Sequence, residues 1–150
     1  MTTSARRRRG VTADERPGLP NSQVWLPKSS RADDGVVERW PCPCGEHRDV
    51  IGTCAWTRPR PHVIEFGYCL GRRWWRQGIM SEVAKILVDE AQRDPTVYRI
   101  SAYCHVDNAG SAVVLRRSGL GLEGRMSRYV VFPNFGPEPQ DCLMFAKAVR

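Results

Sequence analysis

The stretch WWRQGIMSEVAKILVDEA, residues 74–91, joins a turn of unusual composition to a strongly amphipathic segment. Met80, Val83, Ala84, Leu87 and Ala91 recur at three- and four-residue spacing and mark one face of a helix from about Ile79 to Arg93. Glu82, Lys85, Asp89 and Glu90 fall mostly elsewhere, and Asp94-Pro95 ends the pattern. Two tryptophans, Arg76, Gln77 and Gly78 stand directly before it. A turn that only reverses the chain needs none of these. A helix N-terminus presents unpaired N–H groups and a partial positive charge, which together hold an anion. Glycine lets a ligand approach the backbone with no Cβ in the way, and Arg72, Arg73 and Arg76 add positive charge. The composition fits an anion cradle made by the N–H groups of about Arg76 to Met80. It fits equally an ordinary strand-to-helix turn with its arginines in solvent. It matches neither GxxxxGK[ST] nor GxGxxG.

Outward from this helix the chain alternates strands and helices. DVIGTCAWT (49–57) and HVIEFGYCL (62–70) read as a hairpin around the turn RPRP. YRISAYCHV (98–106) reads as a third strand. Asp107 or Asn108 can cap a second helix, AGSAVVLRRS (109–118), closed by Gly119. MSRYVVF and DCLMFAKAV are two more strands around the loop PNFGPEPQ. The order β-β-α-β-α-β-β predicts an α/β layered fold with a mixed sheet and two helices. The division falls near residue 46. Residues 1–45 are rich in Pro, Ser, Gly, Arg and Asp, and five prolines there argue against regular structure. That segment is expected to be irregular, with only Val24–Leu26 and Val36–Trp40 able to pack.

Length and charge bound the function. The 150 residues suit one domain, and no apolar run is long enough for a membrane-spanning helix. MTTSARRRRG starts like a secretory signal, but Asp14, Glu15 and Pro17 occupy the place of its apolar stretch. Net charge is +7: residues 1–45 carry eight Lys/Arg against five Asp/Glu, and residues 46–150 carry fifteen against eleven. Both parts suit an anionic ligand. The Arg6–Arg9 run reads as a solvated tail rather than a nucleic-acid contact. Six cysteines without a secretion signal point to reduced thiols and a cytoplasmic protein. PCPCGEH brings Cys42, Cys44 and His47 within reach of one zinc ion, yet no second ligand pair follows, so a proline-rich loop and no metal are expected.

GYCLGRRWWRQGIMSEV followed by YRISAYCHVDNAGSAVVLRRSGLGLEGRM resembles the GNAT acetyltransferases, in particular those of the RimJ/RimL ribosomal-protein type. The residues that carry the resemblance are Gly67-Tyr68-Cys69-Leu70, then Trp75, Gly78, Ser81 and Glu82, then Asn108, Ser111, Val114, Leu115, Gly119, Glu123 and Gly124. It covers about residues 46–150 and implies an acyl-CoA N-acyltransferase fold, a mostly antiparallel mixed sheet flanked by helices. It also implies acetyl-coenzyme A as cosubstrate and a primary amine as acceptor, either a protein N-terminus or a small molecule. A homodimer is compatible with it. By the resemblance, pyrophosphate lies on the N–H groups of Arg76, Gln77, Gly78, Ile79 and Met80, with Arg72 and Arg73 also among the cofactor-binding residues. Pantetheine runs along Tyr68, Cys69 and Leu70, as an added strand would. Asn108 and Ser111 lie beside the sulfur.

Acetyl transfer needs a base for the ammonium, a donor for the tetrahedral oxyanion and a group that eases thiolate departure. Glu65 is the first candidate base, on the strand face with Val63, Gly67 and Cys69; a structural charge paired with an arginine is the alternative. His105 is the second. The oxyanion donor is assigned to a backbone N–H near Cys69–Leu70. Ser111 is the candidate partner of the sulfur, with helix capping as its alternative role. Many relatives place an acid tyrosine four residues before the helix-ending glycine; here that position is Leu115, which excludes that mechanism. Relatives also begin with a strand and two helices that wall the acceptor site, and residues 1–45 show no such pattern. An acyl-coenzyme A-binding remnant without turnover is therefore the alternative to an enzyme, and a nucleic-acid or zinc module built on RRRR and PCPCGEH is the third reading.

Overall fold

The computed structural model describes residues 38–44, 49–132 and 135–150. Six strands form one sheet in the order β1-β2-β3-β4-β6-β5: β1 (Glu38–Cys44), β2 (Asp49–Arg60), β3 (Val63–Leu70), β4 (Arg99–His105), β5 (Gly121–Val131) and β6 (Pro139–Ala148). Two helices, α1 (Ile79–Arg93) and α2 (Ala109–Arg117), interrupt them. The β3–β4 pair is parallel and every other pair antiparallel. This is the expected α/β layered fold with its mixed sheet. Among the described residues, no helix is long and apolar enough to cross a membrane.

Strand alternation divides the sheet into two faces. Cys54, Ile64, Phe66, Ile100, Ala102, Cys104 and Phe145 share one face, and both helices pack on it. α1 contributes Met80, Val83, Ala84, Leu87, Val88 and Ala91, so the apolar stripe legible at residues 80–91 is the buried face. Asp94 is extended, as the residue before a proline must be, and the helix stops there. The Arg150 guanidinium then donates to the carbonyls of Gln92 and Asp94, covering acceptors that the helix end leaves open. No helix among the described residues lies on the other face, which carries Val63, Glu65, Ser101, Tyr103, His105 and Met144.

Three expectations need correction. The segment read as irregular supplies β1, an edge strand containing Pro41 and Pro43. Proline removes a ladder donor, and an edge strand has a partner on one side only, so it tolerates what a central strand would not. Cys42 and Cys44 lie on this strand rather than in a loop, while His47 and residues 1–37 lie outside the described residues. The RPRP turn is shorter than expected: β2 runs through Arg60, and only Pro61 and His62 form the turn. Pro59 falls at a register shift beyond the reach of β1, where no pairing is demanded of it. Finally, β5 begins at Gly121 rather than Met126, and β6 at Pro139. The early part of β5 carries two glycines and a register shift at Leu122/Gly124, so it has no alternating pattern to read.

Leu87 is fully buried between α1 and the sheet. Leu87→Ala is expected to lower unfolding stability by about 2–5 kcal/mol, the range for a core truncation that cannot collapse, as read from a chemical denaturation midpoint.

Candidate functional site

β3 and β4 pair over three residues only. Val63 faces Arg99, Ile64 faces Ile100, Glu65 faces Ser101, and then the ladder ends. Beyond that point Phe66–Leu70 still pairs with β2 on its other side, but toward β4 it has no strand partner. Backbone donors and acceptors on that side are left for another partner, since buried peptide groups are almost always paired. A wedge therefore opens between two adjacent parallel strands, and the first turns of α1 and α2 stand at the chain ends of its two arms.

The turn before α1 explains the composition of its sequence. The Trp75 indole N–H donates to the Leu70 carbonyl at 2.8 Å, which pins the turn to the end of β3. Trp74 packs against the core, and the Gln77 amide donates to the Arg73 carbonyl at 3.1 Å. Residues 72–74 form a short 3₁₀ turn, an element that the sequence pattern does not show. Arg76 and Gly78 both have left-handed backbones, with φ of 61° and 80°. For Gly78 this is free, but for Arg76 it costs on the order of 1 kcal/mol and persists only because its surroundings hold it. Successive N–H groups in such a turn form a concavity suited to an anion, and they lead into the N-terminus of α1. Arg72 and Arg73 lie over the rings of Trp75 and Trp74, at 5.6 and 5.1 Å from the centroids. Both side chains are exposed, and these ring contacts keep their charge close to the turn.

The other arm begins with Asn108, whose side-chain oxygen accepts the Ser111 N–H at 3.0 Å and caps α2. The Ser111 hydroxyl lies 2.7 Å from the Tyr68 hydroxyl, and Tyr68 O–H also reaches the Ser111 carbonyl at 3.3 Å. Burial pushes the Tyr68 phenol up to about 12, partly offset by the Ser111 hydrogen bond. Tyr68 and Ser111 are 43 residues apart, and nothing in the sequence announced their contact. Leu115, where relatives carry the acid tyrosine, is buried in the core.

Glu65 stands where the ladder ends, on the face without helices. Burial raises its carboxyl above the usual 4.5; burial, and then the Glu65 charge, raise the Tyr103 phenol, which lies on the same face two residues beyond Ser101, the partner of Glu65. Glu65 lines a groove of about 700 Å³ together with Arg60, Ser101, Met126, Tyr129 and Met144. Arg58, Arg99 and Arg125 are engaged by Asp94, Glu123 and Asp141. Among the described residues, no arginine pairs with Glu65, so its alternative reading as a structural ion pair finds no support. The Arg60 side chain likewise has no hydrogen-bond or ion-pair partner among them, its backbone pairing with Val63. His105 is buried at the end of β4, stacked on Phe135 at 4.2 Å, and its Nδ1 accepts the Asp107 N–H at 3.1 Å. In the neutral ring the proton is then on Nε2, which leaves no lone pair for a base. Glu65 suits that role better on geometry.

The model of the acetyltransferase (GNAT) domain matches residues 21–121 of this chain. The chain belongs to the GNAT acetyltransferase family. As a GNAT member it is 32% identical over 116 residues to the L-amino acid N-acetyltransferase AaaT of Escherichia coli (strain K12), covering 75% of this chain and 69% of that protein. It is 30% identical to the N-acetyltransferase p20 of Bacillus licheniformis over 64% of this chain and 55% of that protein. Among solved structures, the RimL ribosomal L7/L12 α-N-protein acetyltransferase in complex with coenzyme A superposes with a TM-score of 0.63 at 25% identity, over 75% of this chain and 62% of that one. A GNAT acetyltransferase from Bacillus anthracis gives 0.65 at 20% identity over 74% of this chain and 66% of that one, and shows the same fold. This GNAT chain spans between about half and 70% of the lengths of these relatives. The family match begins at residue 21, well before the division near residue 46 that composition marked.

Proposed function

We propose that this protein transfers an acetyl group from acetyl-coenzyme A to the primary amine of a small acceptor that also bears a carboxylate, a free α-amino acid. The observation that carries the reading is the wedge between β3 and β4, with a half-buried, unpaired carboxylate at its apex. A sheet edge without a strand partner can take up the amides of pantetheine as it would an added strand. The left-handed turn at Arg76–Gly78 and the first N–H groups of α1 supply the pyrophosphate cradle, with Arg72, Arg73, Arg76, Gln77, Ile79 and Met80 around it. Tyr68, Cys69 and Leu70 form the strand along which pantetheine lies, and Asn108 and Ser111 stand on the opposite arm. The coenzyme A bound in the RimL structure supports the same choice of cosubstrate here.

Glu65 takes the proton from the acceptor ammonium, because only the free amine attacks the thioester carbonyl. Its raised pKa, a consequence of burial, makes the carboxylate a better base than an exposed glutamate. A backbone N–H on the unpaired side of β3, in the Cys69–Leu70 region, receives the oxyanion. Arg60 supplies the acceptor's carboxylate with a charge-assisted partner on the Glu65 side of the sheet. Met126, Tyr129 and Met144 line the same groove and suit an apolar side chain. The amino acid named as the substrate class of AaaT supports a free amino acid over a protein N-terminus.

Three outcomes are expected. Calorimetric titration with acetyl-coenzyme A should show binding to the wild type and none to Gly78→Glu, which puts bulk and negative charge into the cradle. Binding by both would remove the cradle. Activity should fall as pH drops through the raised Glu65 pKa, because the base form is the ionised one. Glu65→Gln should lower kcat at least about 100-fold and abolish that acid limb in a pH–rate profile. In competition assays the wild type should prefer L-leucine to leucinamide, and Arg60→Ala should raise KM for leucine by about 10- to 100-fold while erasing the preference. Equal use of both acceptors by the wild type would exclude carboxylate recognition.

A further inference from the structure

We infer that Tyr68 is a positioning residue for acetyl transfer: its hydroxyl donates to Ser111 Oγ and so turns the Ser111 O–H toward the departing sulfur. The inference rests on the acetyl-transfer reading above and gives the Tyr68 hydroxyl a role distinct from the place of its backbone on the pantetheine strand.

Three observations carry it. Tyr68 lies on the free half of β3 and Ser111 in the first turn of α2, so the pair links the two arms of the wedge. The Tyr68 oxygen contacts both polar atoms of Ser111 that can accept, Oγ at 2.7 Å and the carbonyl at 3.3 Å. Tyr68 is also held in place by its ring, which packs against the core beside Phe66.

In the pair as it stands, either hydroxyl can be the donor. A thiolate changes this, because it only accepts. Once sulfur bears charge beside Ser111, the arrangement with no wasted donor is Tyr68 O–H to Ser111 Oγ and Ser111 O–H to sulfur. Burial keeps the Tyr68 phenol protonated across the working pH range, so its donor role does not lapse. No proton leaves Tyr68. Glu65 passes the first ammonium proton on to solvent; the amine nitrogen then forms its bond to the acetyl carbon, the carbon–sulfur bond breaks with its electron pair going to sulfur, and the second nitrogen proton goes to the regenerated Glu65 carboxylate and from there to solvent. The thiolate takes its proton from water on release.

The test is a double-mutant cycle on the full chain with acetyl-coenzyme A and L-leucine. Tyr68→Phe is expected to lower kcat about tenfold with KM for acetyl-coenzyme A within about twofold, since removal of a charge-stabilising donor acts on the transition state. Ser111→Ala should cost at least as much, and the double variant no more than Ser111→Ala alone. Ser111→Thr, which keeps the hydroxyl, should recover most of the rate. A Tyr68→Phe protein with unchanged kcat, or two effects that multiply, would overturn the inference. If Tyr68→Phe fails to fold, a fully active Ser111→Ala overturns it instead. A wild type that binds acetyl-coenzyme A but acetylates no amine overturns the transfer reading itself, and this inference with it.

Discussion

Past Glu65 and Ser101, β3 and β4 no longer exchange hydrogen bonds, and the candidate site is built around that parting. Parallel strands side by side normally share an unbroken ladder, because each unpaired peptide group withdrawn from water costs free energy. Here three paired positions hold the strands together at one end, while the other end opens. The cost is bearable only where something else serves the free backbone groups. Water can do so in the free protein, and a ligand with its own amides can replace the water.

The flanking elements keep the wedge from closing or collapsing. α1 and α2 pack on the same face of the sheet and against one another through a continuous core that includes Leu87, Ala84, Leu115 and Phe145. Because each helix follows one of the two diverging strands, this packing sets where each N-terminus stands relative to the opening. The turn at residues 72–78 is fastened at three points: Gly71 N–H to the Ile51 carbonyl, Trp75 to the Leu70 carbonyl, and Gln77 to the Arg73 carbonyl. These bonds hold Arg76 in its left-handed backbone conformation. The Tyr68–Ser111 hydrogen bonds add a polar tie across the arms.

The two faces of the sheet divide the labour. One is covered by helices and supplies stability. The other presents titratable and aromatic groups: Glu65, Tyr103 and Tyr129, with His105 closed in by Phe132 and Phe135. Ion pairs at Arg99–Glu123 and Arg125–Asp141 satisfy most of the charge bordering the groove, which makes Arg60 and Glu65 stand out as charges of opposite sign without partners among the described residues.

Local signals in the sequence determined much of this. α1 was legible to its end residues because a 15-residue amphipathic stripe bounded by Gly78 and Asp94-Pro95 is read within one segment. α2 was legible from Asn108 and Gly119 for the same reason, and Gly78 was marked by its place between arginines and a helix start. Tertiary structure decided the rest. Pro41 and Pro43 argue locally against a strand, and only a sheet edge overrules them. The early part of β5 has no alternation to show, and pairing with β6 alone makes it a strand. The parting of β3 from β4, the Tyr68–Ser111 contact across 43 residues, and the sharing of a groove by Arg60 and Glu65 depend on how separate segments meet. Local pattern encodes which groups a residue can offer and which face it points to; which partner it meets is set by packing, and packing is a property of the whole chain.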